Sequence, residues 1–139
     1  MKRIYIGTYT KKTSQGVYVY RWMPESGEMA EIGLAAKTPN PSFITLSPNH
    51  NDLYAVNELA RHSGTVSAFA VDHTTGKLLA KNVVPSGGSA PANLTTDHTG
   101  RALFVADYSS GSISSYRILS GGSLSEPVSN IFFKGHSID

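Results

Sequence analysis

Residues 41–58 and 91–108 of this chain are versions of one another, at a constant offset of 50 residues. Pro41-Ser42-Phe43-Ile44-Thr45-Leu46-Ser47-Pro48 aligns with Pro91-Ala92-Asn93-Leu94-Thr95-Thr96-Asp97-His98. Leu53-Tyr54-Ala55-Val56-Asn57-Glu58 aligns with Leu103-Phe104-Val105-Ala106-Asp107-Tyr108. Self-similarity at a period of ~40–50 residues, carried by short apolar runs, marks the blade of a β-propeller. A propeller closes with ~4–8 blades, and 139 residues are too few for that. The fold expected is therefore all-β: a partial β-propeller of about three four-stranded blades.

A third copy emerges from the inner pieces. Ile4-Tyr5-Ile6-Gly7-Thr8-Tyr9 matches the stretches that end at Glu58 and Tyr108. Val17-Tyr18-Val19-Tyr20-Arg21 matches Val66-Ser67-Ala68-Phe69-Ala70 and Ile113-Ser114-Ser115-Tyr116-Arg117. Each ends at a glycine-bearing turn: Ser26-Gly27, Thr75-Gly76 and Gly121-Gly122. From inner to outer, first strands are expected at 42–47 and 92–97, and second strands at 4–8, 53–57 and 103–107. Third strands follow at 16–22, 65–71 and 112–118, and fourth strands at 29–34, 78–84 and 127–133. The blade-like units run over 1–37, 38–87 and 88–139 of a single domain, with no helix. Tyr5, Tyr54, Phe104, Tyr20, Phe69 and Tyr116 recur at equivalent positions, where aromatics fill the space between neighbouring sheets.

Composition removes several function classes. A net charge of +2 with dispersed basic residues gives no nucleic-acid footprint. No run is long and apolar enough to span a membrane, and Met1-Lys2-Arg3 precedes a stretch too short and polar for a signal h-region. With no cysteine there is no thiolate chemistry. The reading is a cytoplasmic protein that needs no cofactor.

Strand alternation places the loops that enter first strands, and those that join second to third strands, at one edge of the disc. These are Thr8 to Lys12, Pro39 to Pro41, Glu58 to His62, Gly87 to Pro91, Tyr108 to Ser110 and Gly135 to Ser137. They are longer and less repetitive than the turns opposite, and binding sites favour such loops on a rigid scaffold. Tyr9 and Tyr108 share one repeat position, where the middle copy has Glu58. A carboxylate replacing an aromatic at the mouth is the candidate for chemistry, the alternative being an exposed glutamate paired with Arg61. Asn93 replaces Phe43 beside the channel, where it would bond a sugar or carboxylate, or else a turn backbone. Familiar templates are lacking: no two of His50, His62, His73, His98 and His136 stand at zinc-ligand spacing, and no G-x-S-x-G elbow occurs.

Tyr5-Ile6-Gly7-Thr8-Tyr9-Thr10, Gly16-Val17-Tyr18-Val19-Tyr20, Asn40-Pro41-Ser42-Phe43, the run Leu53 to Glu58 and Gly64-Thr65-Val66-Ser67-Ala68-Phe69 together resemble the lactonase family of seven-bladed β-propellers. Ser86-Gly87-Gly88, Pro91 and the run Gly100 to Tyr108 continue the resemblance over nearly the whole chain. The resemblance implies a lactone hydrolase acting on a small anionic sugar lactone, most nearly 6-phosphoglucono-δ-lactone. It also implies that this stretch is the N-terminal part of a longer ring, whose later blades carry a Gly-Pro-His-Ala-His motif that is absent here. His136 lies a little before that motif's place and does not take its role. On this reading Glu58 is the catalytic candidate, with Asn57, Arg61, Asn93 and Tyr108 as substrate contacts and Lys11 and Lys12 as further cations. The isolated chain is then expected to be inactive on lactones. The alternatives are a non-catalytic binding or scaffold propeller, a carboxymuconate-type lactonising enzyme, and self-association of copies through open blade faces.

Overall fold

The computed structural model describes residues 2–61 and 63–135. Every regular element among them is a strand, in three antiparallel sheets. The first sheet holds β1 (Lys2–Ile6), β2 (Gly16–Trp22) and β3 (Met29–Lys37). The second holds β4 (Ile44–Leu46), β5 (Asp52–Asn57), β6 (Thr65–Val71) and β7 (Leu78–Pro85). The third holds β8 (Pro91–Thr96), β9 (Ala102–Asp107), β10 (Ser112–Arg117) and β11 (Ser129–Phe132). Each sheet is a meander in chain order, with the expected second, third and fourth strands in every copy. No helix among the described residues is long and apolar enough to cross a membrane.

Alternation along the strands sorts side chains by neighbour. In the middle sheet Leu53, Ala55, Phe69 and Leu78 face the first sheet and pack against Val17, Val19 and Ala35. Tyr54, Val56, Val66, Ala68 and Val84 point the other way and meet Leu94, Leu103, Val105, Tyr116 and Leu124 of the third sheet. The large side chains in these two cores each contribute about 1.5–3 kcal/mol by leaving water. Burial of Tyr54 and Tyr116 pushes both phenols well above their ordinary range. Their hydroxyls are satisfied by donating to the carbonyls of Gly122 (2.9 Å) and Pro85 (2.7 Å). The Tyr5 hydroxyl repeats the Tyr54 contact one blade earlier, donating to the Gly76 carbonyl at 2.9 Å.

The inter-sheet role expected of the six aromatics needs one correction. Second-strand aromatics face the following sheet and third-strand aromatics face the preceding one. Tyr5, Tyr54, Phe69 and Tyr116 therefore lie between sheets of this chain. Phe104 and Tyr20 carry the same alternation out to the two ends of the array. Phe104 is 47% exposed there, above a groove it shares with Ile113 and Ile131.

Candidate functional site

Three loops meet at the edge where β5 ends. The chain leaving β1 passes Gly7, where a Cβ would overlap the Pro41 carbonyl oxygen. Only glycine lets the Thr8-Tyr9-Thr10 loop lie this close to the entrance of the second sheet. Asn40, with φ of 40°, is the hub. Its Oδ1 accepts from the Thr10 backbone N–H (2.9 Å) and hydroxyl (3.1 Å), and its Nδ2 donates to the Glu58 carbonyl (3.2 Å). The Glu58 N–H donates back to the Asn40 carbonyl at 3.0 Å. This scaffold brings two copies of one repeat position together: the Tyr9 hydroxyl donates to Glu58 Oε2 at 2.8 Å. That bond holds the phenol above its ordinary range, so Tyr9 stays protonated and remains a donor. Lys11 Nζ lies 5.9 Å from the centre of the Tyr9 ring, adding a cation to the cluster. A cleft of about 360 Å³ lined by Thr10, Ser14, Gln15, Lys37, Thr38 and Pro39 adjoins it.

Beneath the loops lies a polar position common to all three copies: Thr8, Asn57 and Asp107. Thr8 donates to the Gly16 carbonyl at 2.7 Å and bonds Ser14. Asn57 is 1% exposed. Its Nδ2 donates to Thr38 Oγ1 and the Pro39 carbonyl, both at 2.7 Å, and its Oδ1 accepts from Thr65 (3.0 Å) and Ser67 (2.6 Å). Asp107 is 3% exposed, and Ser86 donates to its Oδ1 at 2.6 Å. Its Oδ2 is buried without a partner. Burial raises the Asp107 carboxyl above its ordinary range, against the lowering effect of the Ser86 and Ser112 hydroxyls.

The sequence-derived site is thus partly assembled and partly redistributed. Glu58 stands at this loop edge with Tyr9 as its partner; the bond seen is to Tyr9, where the alternative reading had Arg61. Arg61 is exposed on the same loop in a left-handed conformation, φ 58°. Asn57 is a correction: it sits behind the loops, and its side-chain amide is fully used internally, so it positions the mouth and has nothing left for substrate. Asn93 is the second correction. Its strand parity is that of Thr95 and Phe104, which puts it on the open groove of the third sheet. Tyr108 is at the mouth level and 83% exposed, anchored through its N–H to the Ala90 carbonyl at 2.9 Å. His62 and His136 lie outside the described residues. His50, His73 and His98 are exposed in turns at the opposite edge.

That opposite edge holds a larger cleft, about 560 Å³, between the second and third sheets. Its charges, Lys81 and Asp52, are spent on each other, and Lys81 also caps the Gly121 carbonyl. Among the described residues no three histidine, aspartate or glutamate side chains gather as a metal site.

Comparison with known proteins decides the family. The family model described as Lactonase, 7-bladed beta-propeller, matches residues 3–139. The chain belongs to this lactonase family. The 6-phosphogluconolactonase of Bacillus subtilis (strain 168) is 33% identical over 131 residues, covering 94% of this chain and 37% of that protein. The 6-phosphogluconolactonase of Formosa agariphila is 31% identical over 138 residues, covering 97% of this chain and 39% of that protein. Among solved structures, the periplasmic gluconolactonase of Pseudomonas aeruginosa superposes with a TM-score of 0.84 at 32% identity, over 91% of this chain and 37% of that one. The chain therefore spans well under half the length of these lactonase relatives.

Proposed function

We propose that this chain is the part of a lactone hydrolase that carries Glu58 to the mouth of the propeller, and that the complete ring opens 6-phosphoglucono-δ-lactone. The observation that carries the reading is the Bacillus subtilis relative, a 6-phosphogluconolactonase matched over 94% of this chain. The Tyr9–Glu58 pair supports it chemically. In the opening, water adds to the lactone carbonyl and loses its proton to a base. The tetrahedral oxyanion then expels the ring oxygen, which leaves as a hydroxyl group and frees the acid. Tyr9 occupies Glu58 Oε2, which leaves Oε1 to take the proton of water or to orient a substrate hydroxyl. Arg61, Lys11 and Lys12 are the cations at this edge for a substrate phosphate, and Tyr108 is an exposed ring on the corresponding loop of the third unit. Asn93 belongs to a different surface and drops out of the set.

The test is a chimera in which residues 1–139 replace the matching segment of the Bacillus subtilis enzyme. Opening of the phosphorylated lactone should run above its spontaneous rate, and Glu58→Gln should lower kcat by about 10²-fold or more, the range for losing a general base. The isolated chain should show only spontaneous opening. A folded, active chimera indifferent to Glu58→Gln would remove Glu58 from the chemistry.

A further inference from the structure

Among the described residues, four that are not glycine have positive φ: Asn40 (40°), His50 (62°), Arg61 (58°) and Ala90 (54°). His50 lies in a turn at the opposite edge, whereas the other three lie in the loops around Glu58. Asparagine and histidine visit this left-handed region more readily than most residues, and alanine is not among those that do. Ala90 also precedes Pro91. The ring of a following proline steers a residue toward extended backbone. Two constraints thus oppose the conformation of Ala90, and strain of this kind persists only where the surroundings over-determine it.

The bonds that hold Ala90 repeat those at Asn40. Asn40-Pro41 and Ala90-Pro91 stand at the 50-residue offset. The Asn40 carbonyl accepts from the Glu58 N–H (3.0 Å), and the Ala90 carbonyl accepts from the Tyr108 N–H at the equivalent place (2.9 Å). Each residue also reaches back to one repeat position of the preceding unit. The Asn40 N–H donates to Thr10 Oγ1 (3.1 Å), and the Ala90 N–H donates to the Leu59 carbonyl (3.0 Å). All four backbone polar groups of Glu58 and Leu59 are thereby used. Asn40 engages both those of Glu58, the Leu59 N–H donates to the Asn57 carbonyl (2.8 Å), and Ala90 holds the Leu59 carbonyl. Pro91 grips the far end of the same loop, where a Cβ on Gly64 would lie 2.5 Å from the proline Cδ. The Gly64 carbonyl there accepts from the Ser86 N–H at 2.9 Å.

We propose that Ala90 is a positioning residue for Glu58: its left-handed backbone ties the Glu58 loop of the second unit to the third and fixes where the carboxylate stands. Asn40 sets the loop from one side and Ala90 from the other. The Tyr9 hydroxyl meets Glu58 Oε2 at 2.8 Å while the loop keeps this place. Displacing a catalytic group by about 1 Å can cost ~10²-fold in rate. The consequence for turnover rests on the reading of Glu58 as the base; the tie itself does not.

The test replaces Ala90 by valine, asparagine and glycine. Valine is β-branched and strongly disfavoured at this φ, whereas asparagine and glycine adopt it readily. Asparagine carries no less side chain than valine, so the two separate backbone conformation from bulk. In the 139-residue chain, Ala90→Val should lower the protection of the amides at Glu58 and position 90 by about tenfold or more in hydrogen exchange. It should also bring the Tyr9 phenol, followed by carbon-13 NMR, down toward its ordinary pKa, because the bond to Glu58 is what raises it most. Ala90→Asn and Ala90→Gly should leave both readouts as in the parent. In the Bacillus subtilis chimera Ala90→Val should lower kcat about tenfold or more with KM within about twofold, and asparagine should restore it. If the valine chain does not fold, the parent decides. Its Glu58 and Ala90 amides should open as one unit, with protection matched within about threefold across a denaturant series.

A folded Ala90→Val chain with the parental Tyr9 titration and Glu58 protection overturns the proposal, as does an asparagine variant that behaves like valine. An Ala90 amide that exchanges unprotected in the parent does the same. Unchanged kcat in an Ala90→Val chimera that still depends on Glu58 removes the positioning role. A chimera indifferent to Glu58→Gln instead refutes Glu58 as the base, and exchange and titration then decide the positioning of Glu58 by themselves.

Discussion

Asn57 and Asp107 occupy one repeat position with opposite hydrogen-bonding chemistry, and Asn57→Asp is the substitution that tests what this position does. Oδ1 of Asn57 receives two hydroxyl donors, Thr65 and Ser67, and an aspartate oxygen accepts them equally well. The loss falls on the other side. Nδ2 donates to Thr38 Oγ1 and to the Pro39 carbonyl. The Thr38 hydroxyl rotates to become a donor, whereas the Pro39 carbonyl remains an acceptor. One bond is lost, worth about 0.5–1.5 kcal/mol net, and a buried carboxylate oxygen faces a carbonyl oxygen, costing about 1–3 kcal/mol more. The variant should therefore lose about 2–4 kcal/mol above the carboxylate range, a large share of the ~5–15 kcal/mol typical of a domain. Folding raises the pKa of such a carboxyl, so stability should be nearly intact at low pH and fall as pH rises through the folded-state value. When protonated, the carboxyl donates to Pro39 and recovers most of the loss. Urea unfolding at pH 4 and pH 8, followed by the fluorescence of the single tryptophan, Trp22, and by far-ultraviolet circular dichroism, reads the difference. An Asn57→Asp chain as stable as the parent at pH 8, or equally destabilised at both pH values, would refute the assignment of Asn57 as a donor to the Pro39 loop.

Three further outcomes are expected. Asp107→Asn should do the reverse: the native carboxyl is raised by burial, so the parent loses stability as pH rises through its folded-state value, and the amide should remove that dependence in paired pH–urea titrations. Gly7→Ala should destabilise by about 1–3 kcal/mol, because its Cβ meets the Pro41 backbone and neither segment yields cheaply. It should also free Tyr9 from Glu58, seen as a fall of the phenol pKa in an ultraviolet titration. The open faces bearing Phe104, Ile113 and Ile131 should drive concentration-dependent self-association, measured by light scattering. Phe104→Lys with Ile131→Lys should weaken it at least tenfold, and a monodisperse parent at high concentration would exclude it.

The strands were legible because a period near 50 residues and alternation within each strand are one-dimensional signals, and both survive into three dimensions. Glu58 was legible as a departure from its copies. Its partner was not, because the Tyr9–Glu58 bond joins the same repeat position in adjacent units, and alignment sets such residues in one column without saying that they touch. Asn93 was misplaced for a related reason: nearness to the channel follows from which strand a residue is on, but side-chain direction follows from parity, and Asn93 shares parity with Phe104. Asn57 was misread because it adjoins Glu58 in sequence, although adjacent residues at a strand end point to opposite sides. The repeat did contain the needed signal. Thr8, Asn57 and Asp107 put a polar side chain at the same repeat position in every copy, at or just past the end of the second strand, where apolar strands gain nothing from polarity unless a backbone segment must be held there. Each holds a neighbouring loop through a hydroxyl or carbonyl group, Gly16 and Pro39 in the same unit and Ser86 from the preceding one. A polar residue common to all copies therefore reads as scaffold, whereas one that departs from its copies, as Glu58 does, reads as a candidate for chemistry. Reversing the two kinds of substitution separates them: exchanging Asn57 and Asp107 should move stability, and exchanging Glu58 for the tyrosine of its copies should leave stability within about 0.5 kcal/mol, as for other surface changes, while abolishing the activity of the chimera.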